Sequence, residues 1–123
     1  MIQGYFGDNG ELYFEIELVT ADREIITVDA LLDTGFSDWL AMDAQDATSL
    51  GWTFVRERDM RTARGESTFN LYQGKVIFDR QELTIPVLGS LEITEFLIGL
   101  PWLENQCLIA DRQANILTLE INN

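Results

Sequence analysis

The chain of 123 residues has no histidine, and that absence prunes its chemistry. Ser-His-Asp and Cys-His nucleophilic schemes need an imidazole base, and the usual zinc sites need imidazole or several thiolates. Any hydrolytic chemistry must then rest on carboxylates, a Lys or a non-zinc metal. There is one cysteine, Cys107, so no internal disulfide can form. Its neighbours Leu108 and Ile109 predict a buried strand position for it, and a reducing, cytoplasmic setting is the default expectation. Cations are scarce, with eight Lys and Arg against 21 Asp and Glu and a net charge of −13. Such a chain repels phosphates, so nucleic acid is not an expected partner. Arg56, Arg58, Arg61 and Arg64 do lie close together, but acidic residues interleave them, which reads as a solvated hairpin face. Long hydrophobic runs are also missing. The most apolar region, Leu83 to Leu103, is interrupted by Pro86, Glu92 and Glu95, so no membrane partner is expected. Met1-Ile2-Gln3-Gly4-Tyr5 has no basic start followed by an apolar block, so no signal peptide is expected. No P-loop or dinucleotide fingerprint is present, and neither a cofactor nor a metal is called for.

What is present is period two. Hydrophobic residues make up 46% and charged residues 24%, an ordinary globular balance, and the length suits one domain over 1–123. Leu12, Phe14, Ile16 and Leu18 alternate with Glu11, Tyr13, Glu15 and Glu17, the pattern of a half-buried strand. Asp8-Asn9-Gly10 joins it to a strand over Ile2 to Phe6 as a hairpin; acidic ligands at calcium-loop spacing do not follow it. Further strands are predicted over Glu24 to Leu32, Trp39 to Met42, Trp52 to Met60, Ser67 to Phe78, Glu82 to Leu88, Phe96 to Gly99, Cys107 to Asp111 and Ile116 to Ile121. Asp43 reads as the N-cap of a short helix stopped by Gly51, with Asp46 complementing its dipole. Pro101 opens a second short helix. Trp39, Trp52 and Trp102 are expected in the core or at a subunit contact. Many short strands with one or two short helices imply a mainly all-β chain closed as a barrel or a sandwich.

The chemically telling stretch is Leu31-Leu32-Asp33-Thr34-Gly35-Phe36-Ser37. A strand delivers Asp33 into a sharp turn whose geometry glycine tolerates. A carboxylate held there suits acid–base work on water, although an Asx-type hairpin turn has the same sequence. A second apolar strand running into a glycine, Phe96-Leu97-Ile98-Gly99-Leu100, follows about sixty residues later.

Together, Leu-Leu-Asp-Thr-Gly and Leu-Ile-Gly resemble the retropepsin-type aspartic proteases, and Asp-Thr-Gly-Phe-Ser in particular the small prokaryotic single-domain members. The likeness runs from about Glu11 to Ile121. It implies a retropepsin-like closed β-barrel with a flap hairpin and an aspartic endopeptidase acting on peptide or protein substrates. Asp33 would be the catalytic carboxylate, Thr34 would lock two active-site loops together, and Gly35 would let backbone approach the substrate. Phe36, Ser37 and Asp38 would begin the substrate-facing wall. The connection Arg61 to Glu66 resembles the flap, with Ala63, Arg64, Gly65 and Glu66 over the substrate. Leu97, Ile98 and Gly99 would pack beneath the catalytic turn without touching substrate. This chemistry needs two carboxylates around one water, and the chain has one Asp-Thr-Gly. The resemblance therefore implies a C₂ homodimer with Asp33 from each subunit at the axis, and Ile116 to Ile121 is expected to offer a strand edge to the second copy.

Three departures stand out. Phe36 replaces the small residue usual in retroviral members, the flap tip is poorer in glycine, and Leu100-Pro101-Trp102 replaces a polar helix start. They keep open a rival from another class, a catalytically silent barrel that binds peptides or partners in the same groove.

Overall fold

Alternation in β3 (Leu12–Val19) places Phe14, Ile16 and Leu18 in the core and leaves Glu15 in solvent. The computed structural model describes residues 1–63 and 65–121, with only the backbone of Thr62. Before β3 come β1 (Ile2–Gln3) and β2 (Tyr5–Phe6). After it follow β4 (Ile25–Leu32), β5 (Leu40–Asp43), helix α1 (Ala44–Ser49), β6 (Thr53–Thr62) and β7 (Gly65–Phe78). The chain ends with β8 (Gln81–Ser90), β9 (Phe96–Ile98), a 3-10 turn (Leu100–Leu103), β10 (Gln106–Asp111) and β11 (Ile116–Ile121). The mainly β class and the short helices agree with the sequence pattern. So does the cap of α1, where Asp43 Oδ1 accepts the Gln45 N–H at 2.7 Å.

Six strands close a barrel in the order β3-β4-β9-β5-β8-β7, with β7 returning to β3 through Glu17↔Ile77 and Leu18↔Val76. Within it β9 runs parallel to β4 and antiparallel to β5. A strand from late in the chain is thus inserted between two strands that follow one another in sequence. Closure removes sheet edges and encloses one core: Phe14, Ile16, Leu18, Leu40, Met42, Val76, Val87, Ile98 and Trp102 are all almost wholly buried. Burying each such side chain contributes about 1.5–3 kcal/mol. The indoles pay no penalty for burial, because Trp52 Nε1 donates to the Val19 carbonyl at 2.8 Å and Trp102 Nε1 to the Trp39 carbonyl at 2.5 Å. Trp39 packs edge-on against Trp102, their ring centres 5.3 Å apart.

Two expectations are corrected. Ile2 to Phe6 is not one strand: Ile2–Gln3 pairs with β11, whereas Tyr5–Phe6 pairs with β3. The break is at Gly4, where a Cβ would collide with the Tyr13 carbonyl and approach Leu117 and Phe14. Cys107 is exposed rather than buried, since alternation in β10 turns Gln106 and Leu108 inward and Cys107 out. Strand β11 is the central strand of the small β1-β11-β10 sheet. It pairs along its length with β10 and with β1 at Thr118 and Leu119 alone.

Candidate active site

The Asp33 loop leaves β4 and must return to β5 across the inserted β9. Both of its legs are bonded to the residues that end β9. The Asp33 amide donates to the Ile98 carbonyl at 2.9 Å, and the Leu100 amide donates to the Phe36 carbonyl at 2.9 Å. Gly99 lies between these bonds, and a Cβ there would collide with the carbonyls of both Phe36 and Asp38. Only glycine permits so close an approach. At the tip, the Phe36 amide donates to the Asp33 carbonyl at 3.0 Å, closing the turn. The Gly35 amide donates to Asp33 Oδ1 at 2.8 Å, an Asx-type bond that fixes the carboxylate's direction. Asp33, Thr34 and Gly35 are all exposed.

The carboxylate opens on a cleft of about 460 Å³. Asp33, Gly35, Phe36 and Ser37 line it together with Ala41, Leu88 and Leu97. The lining also includes Met60, Arg61, Ala63, Ser67 and Phe69 of the β6–β7 hairpin, with Glu92 and Ile93 from the segment before β9. The strands of this hairpin stay paired to the tip at Thr62↔Gly65. The segment carrying Glu92 and Ile93 is held from outside: the Tyr13 hydroxyl donates to Glu95 Oε1 at 2.9 Å. That bond, followed by desolvation and the charge of Glu95, holds the Tyr13 phenol above its ordinary value. Tyr5 stacks on Tyr13 with ring centres 5.3 Å apart.

Among the expected substrate-facing residues, Phe36, Ser37 and Ala63 line the cleft. Gly65 and Glu66 sit exposed at the hairpin tip and do not line it, and Arg64 lies outside the described residues. Asp38 is engaged elsewhere, with Oδ1 accepting from Arg58 Nη1 at 3.1 Å. Ile98 and Gly99 lie beneath the turn, but Leu97 lines the cleft. The sequence reading missed Met60, Ser67 and Phe69, although alternation carried a signal. Arg58, Met60, Ser67 and Phe69 share one face because Arg58 pairs with Phe69 and Met60 with Ser67. No local pattern marked Ile93, which sits in an irregular segment. Among the described residues, no group of three or more acidic or thiol side chains is placed to hold a metal ion, and no helix is long and apolar enough to cross a membrane.

Comparison of the whole chain with known proteins gives the fold a name. Its backbone is similar to the crystal structure of a retropepsin-like aspartic protease from Rickettsia conorii, with a TM-score of 0.64 and 19% identity over 98% of this chain and 89% of that one. It is also similar to the solution structure of the Simian Foamy Virus (mac) protease, with a TM-score of 0.52 and 18% identity over 78% of this chain and 99% of that one. No family model and no curated protein sequence matches the chain. The fold is retropepsin-like.

Proposed function

We propose that the chain is an aspartic endopeptidase, with residues 1–123 as its one catalytic domain and two copies forming the active unit. The observation that carries this reading is the Asp33 carboxylate, fixed by the Gly35 amide and lining a cleft that residues of a long β-hairpin also line. The similarity of the fold to two aspartic proteases supports it. One chain brings one such carboxylate. A second copy related by a two-fold axis would set Asp33 beside its equivalent, with the two Thr34 hydroxyls available to join the loops.

In this scheme two adjacent carboxyls share one proton, because two negative charges at that separation repel. The ionised one takes a proton from a water molecule, and the water oxygen attacks the peptide carbonyl. The protonated one donates to the carbonyl oxygen, giving a tetrahedral intermediate whose collapse needs a proton on the leaving nitrogen. Gly35, Phe36 and Ser37 would face the peptide from below, with the hairpin tip at Ala63, Arg64, Gly65 and Glu66 closing from above. A roof closed in this way would exclude water and strengthen these electrostatic effects.

The deciding experiment is cleavage of a peptide library by the wild type and by Asp33→Asn, with sedimentation analysis of both. Cleavage by the wild-type dimer alone supports the proposal. Peptide binding without cleavage by either form favours the silent binding barrel.

A further inference from the structure

Asp38 closes the loop that begins at Asp33, and Arg58 belongs to β6, the rising strand of the hairpin. Their ion pair, Arg58 Nη1 to Asp38 Oδ1 at 3.1 Å, joins the Asp33 loop to the hairpin. It differs from the other two ion pairs among the described residues. Asp38's side chain is 18% exposed and that of Arg58 35%, against 41% and 63% for Glu82 and Arg23. Asp38 Oδ2 is fully buried and finds no hydrogen-bond partner among the described residues. Arg58 therefore supplies the one described side-chain bond to a largely desolvated carboxylate. The loop end it grips cannot give way, because the Asp38 carbonyl is packed over Gly99. On β6, Arg58 faces the same side as Met60, which lines the cleft, and its cross-strand partner Phe69 lines it too.

We propose that the Arg58–Asp38 pair is a latch that sets the height of the β6–β7 hairpin over the Asp33 turn, which makes Arg58 a positioning residue for the cleft. The inference rests on the peptidase reading only for its consequence in catalysis; the mechanical coupling stands apart from it. The lever is long. From Arg58 to the tip at Ala63 the strand runs roughly 15 Å, so a small rotation at the base moves the tip a large distance. The guanidinium makes this contact through a single bond, Nη1 to Oδ1. It also removes Asp38 from the substrate-facing wall: the side chain that the motif offers to a peptide is spent on the hairpin.

The test is amide hydrogen exchange on the whole chain for the wild type, Arg58→Met, Arg58→Lys and the reversed pair Arg58→Asp with Asp38→Arg. In Arg58→Met, exchange across residues 57–67 and 34–39 should rise together by roughly tenfold, while β10 and β11 keep wild-type protection. Arg58→Lys and the reversed pair should recover part of that protection. Where a peptide is cleaved, Arg58→Met should raise KM severalfold and leave kcat within about twofold, the mark of lost binding that ground and transition states share. A rise spread evenly over the chain would overturn the latch and make the pair merely stabilising. No rise in the hairpin would overturn it as well, and so would a fall in kcat at constant KM. If the wild type cleaves nothing, the peptidase reading falls, and the exchange pattern still decides the latch.

Discussion

The Asp33 amide donates to the carbonyl of Ile98 at 2.9 Å, so the candidate catalytic residue is anchored to a residue far later in the chain. That bond, its companion from Leu100 to Phe36, and the bare Cα of Gly99 between them make the turn rigid. A carboxylate that must be aimed to within a fraction of an ångström benefits from such a base.

Gly99→Ala puts a methyl group against the carbonyls of Phe36 and Asp38. Both are backbone atoms already bonded or packed, so the loop must move. The expected loss is about 1–3 kcal/mol of stability, read by denaturant titration. Cleavage should suffer more than stability suggests, since the displaced segment carries Asp33. An unchanged unfolding midpoint would contradict the close approach.

Asp33→Asn keeps the size of the side chain and an oxygen for the Gly35 amide. It cannot take a proton from water. Peptide cleavage should fall by at least about 10²-fold, with the unfolding midpoint at or above that of the wild type. A variant that no longer folds would make Asp33 a structural turn residue. Residual activity near the wild-type rate would place the chemistry elsewhere.

Association should respond to salt. Each copy carries a net charge of −13, and raising ionic strength from low values screens that repulsion. Sedimentation should therefore show a tighter dimer at moderate salt than at low salt. A protein that stays monomeric across this range at micromolar concentration would have half a site.

Tyr13 offers a pH test independent of catalysis. Its hydroxyl donates to Glu95, and this bond heads the causes that raise the phenol. The neutral phenol is the bonded form, so its contribution to stability is complete below the unfolded-state value, about 10. It is lost as pH rises through the higher folded-state value. Glu95→Ala should lower the Tyr13 transition toward the ordinary value, followed by phenolate absorbance. The stability difference between wild type and variant should shrink in alkali. Identical phenol titrations in both proteins would mean that Glu95 does not hold Tyr13.

Local chemistry made much of this legible. The Asp-Thr-Gly turn, the Asp43 cap, the Gly51 stop and the strand alternation of β3 are written in neighbouring residues, and the structure keeps them all. Strand ends moved by only a residue or two, as at β4, which starts at Ile25 rather than Glu24. What stayed hidden depends on partners distant in sequence. Gly4 breaks the first strand because β11 and β3 compete for its two halves. Asp38 turns from the cleft because Arg58 lies on another strand. Cys107 faces outward because register outweighs its apolar neighbours, which no local count of hydrophobic residues can show.

The insertion of β9 between β4 and β5 also orders events in time. Residues 33–39 cannot take their final path until Ile98, Gly99 and Leu100 are there to receive their hydrogen bonds. During synthesis the N-terminal strands emerge well before that partner, and pairing across such a separation is slow because the intervening loop must first be closed. The Asp33 turn therefore cannot take this form before residues 96–100 have been made. A nascent chain that stops short of residue 96 contains the whole Asp-Thr-Gly motif without the strand that anchors it.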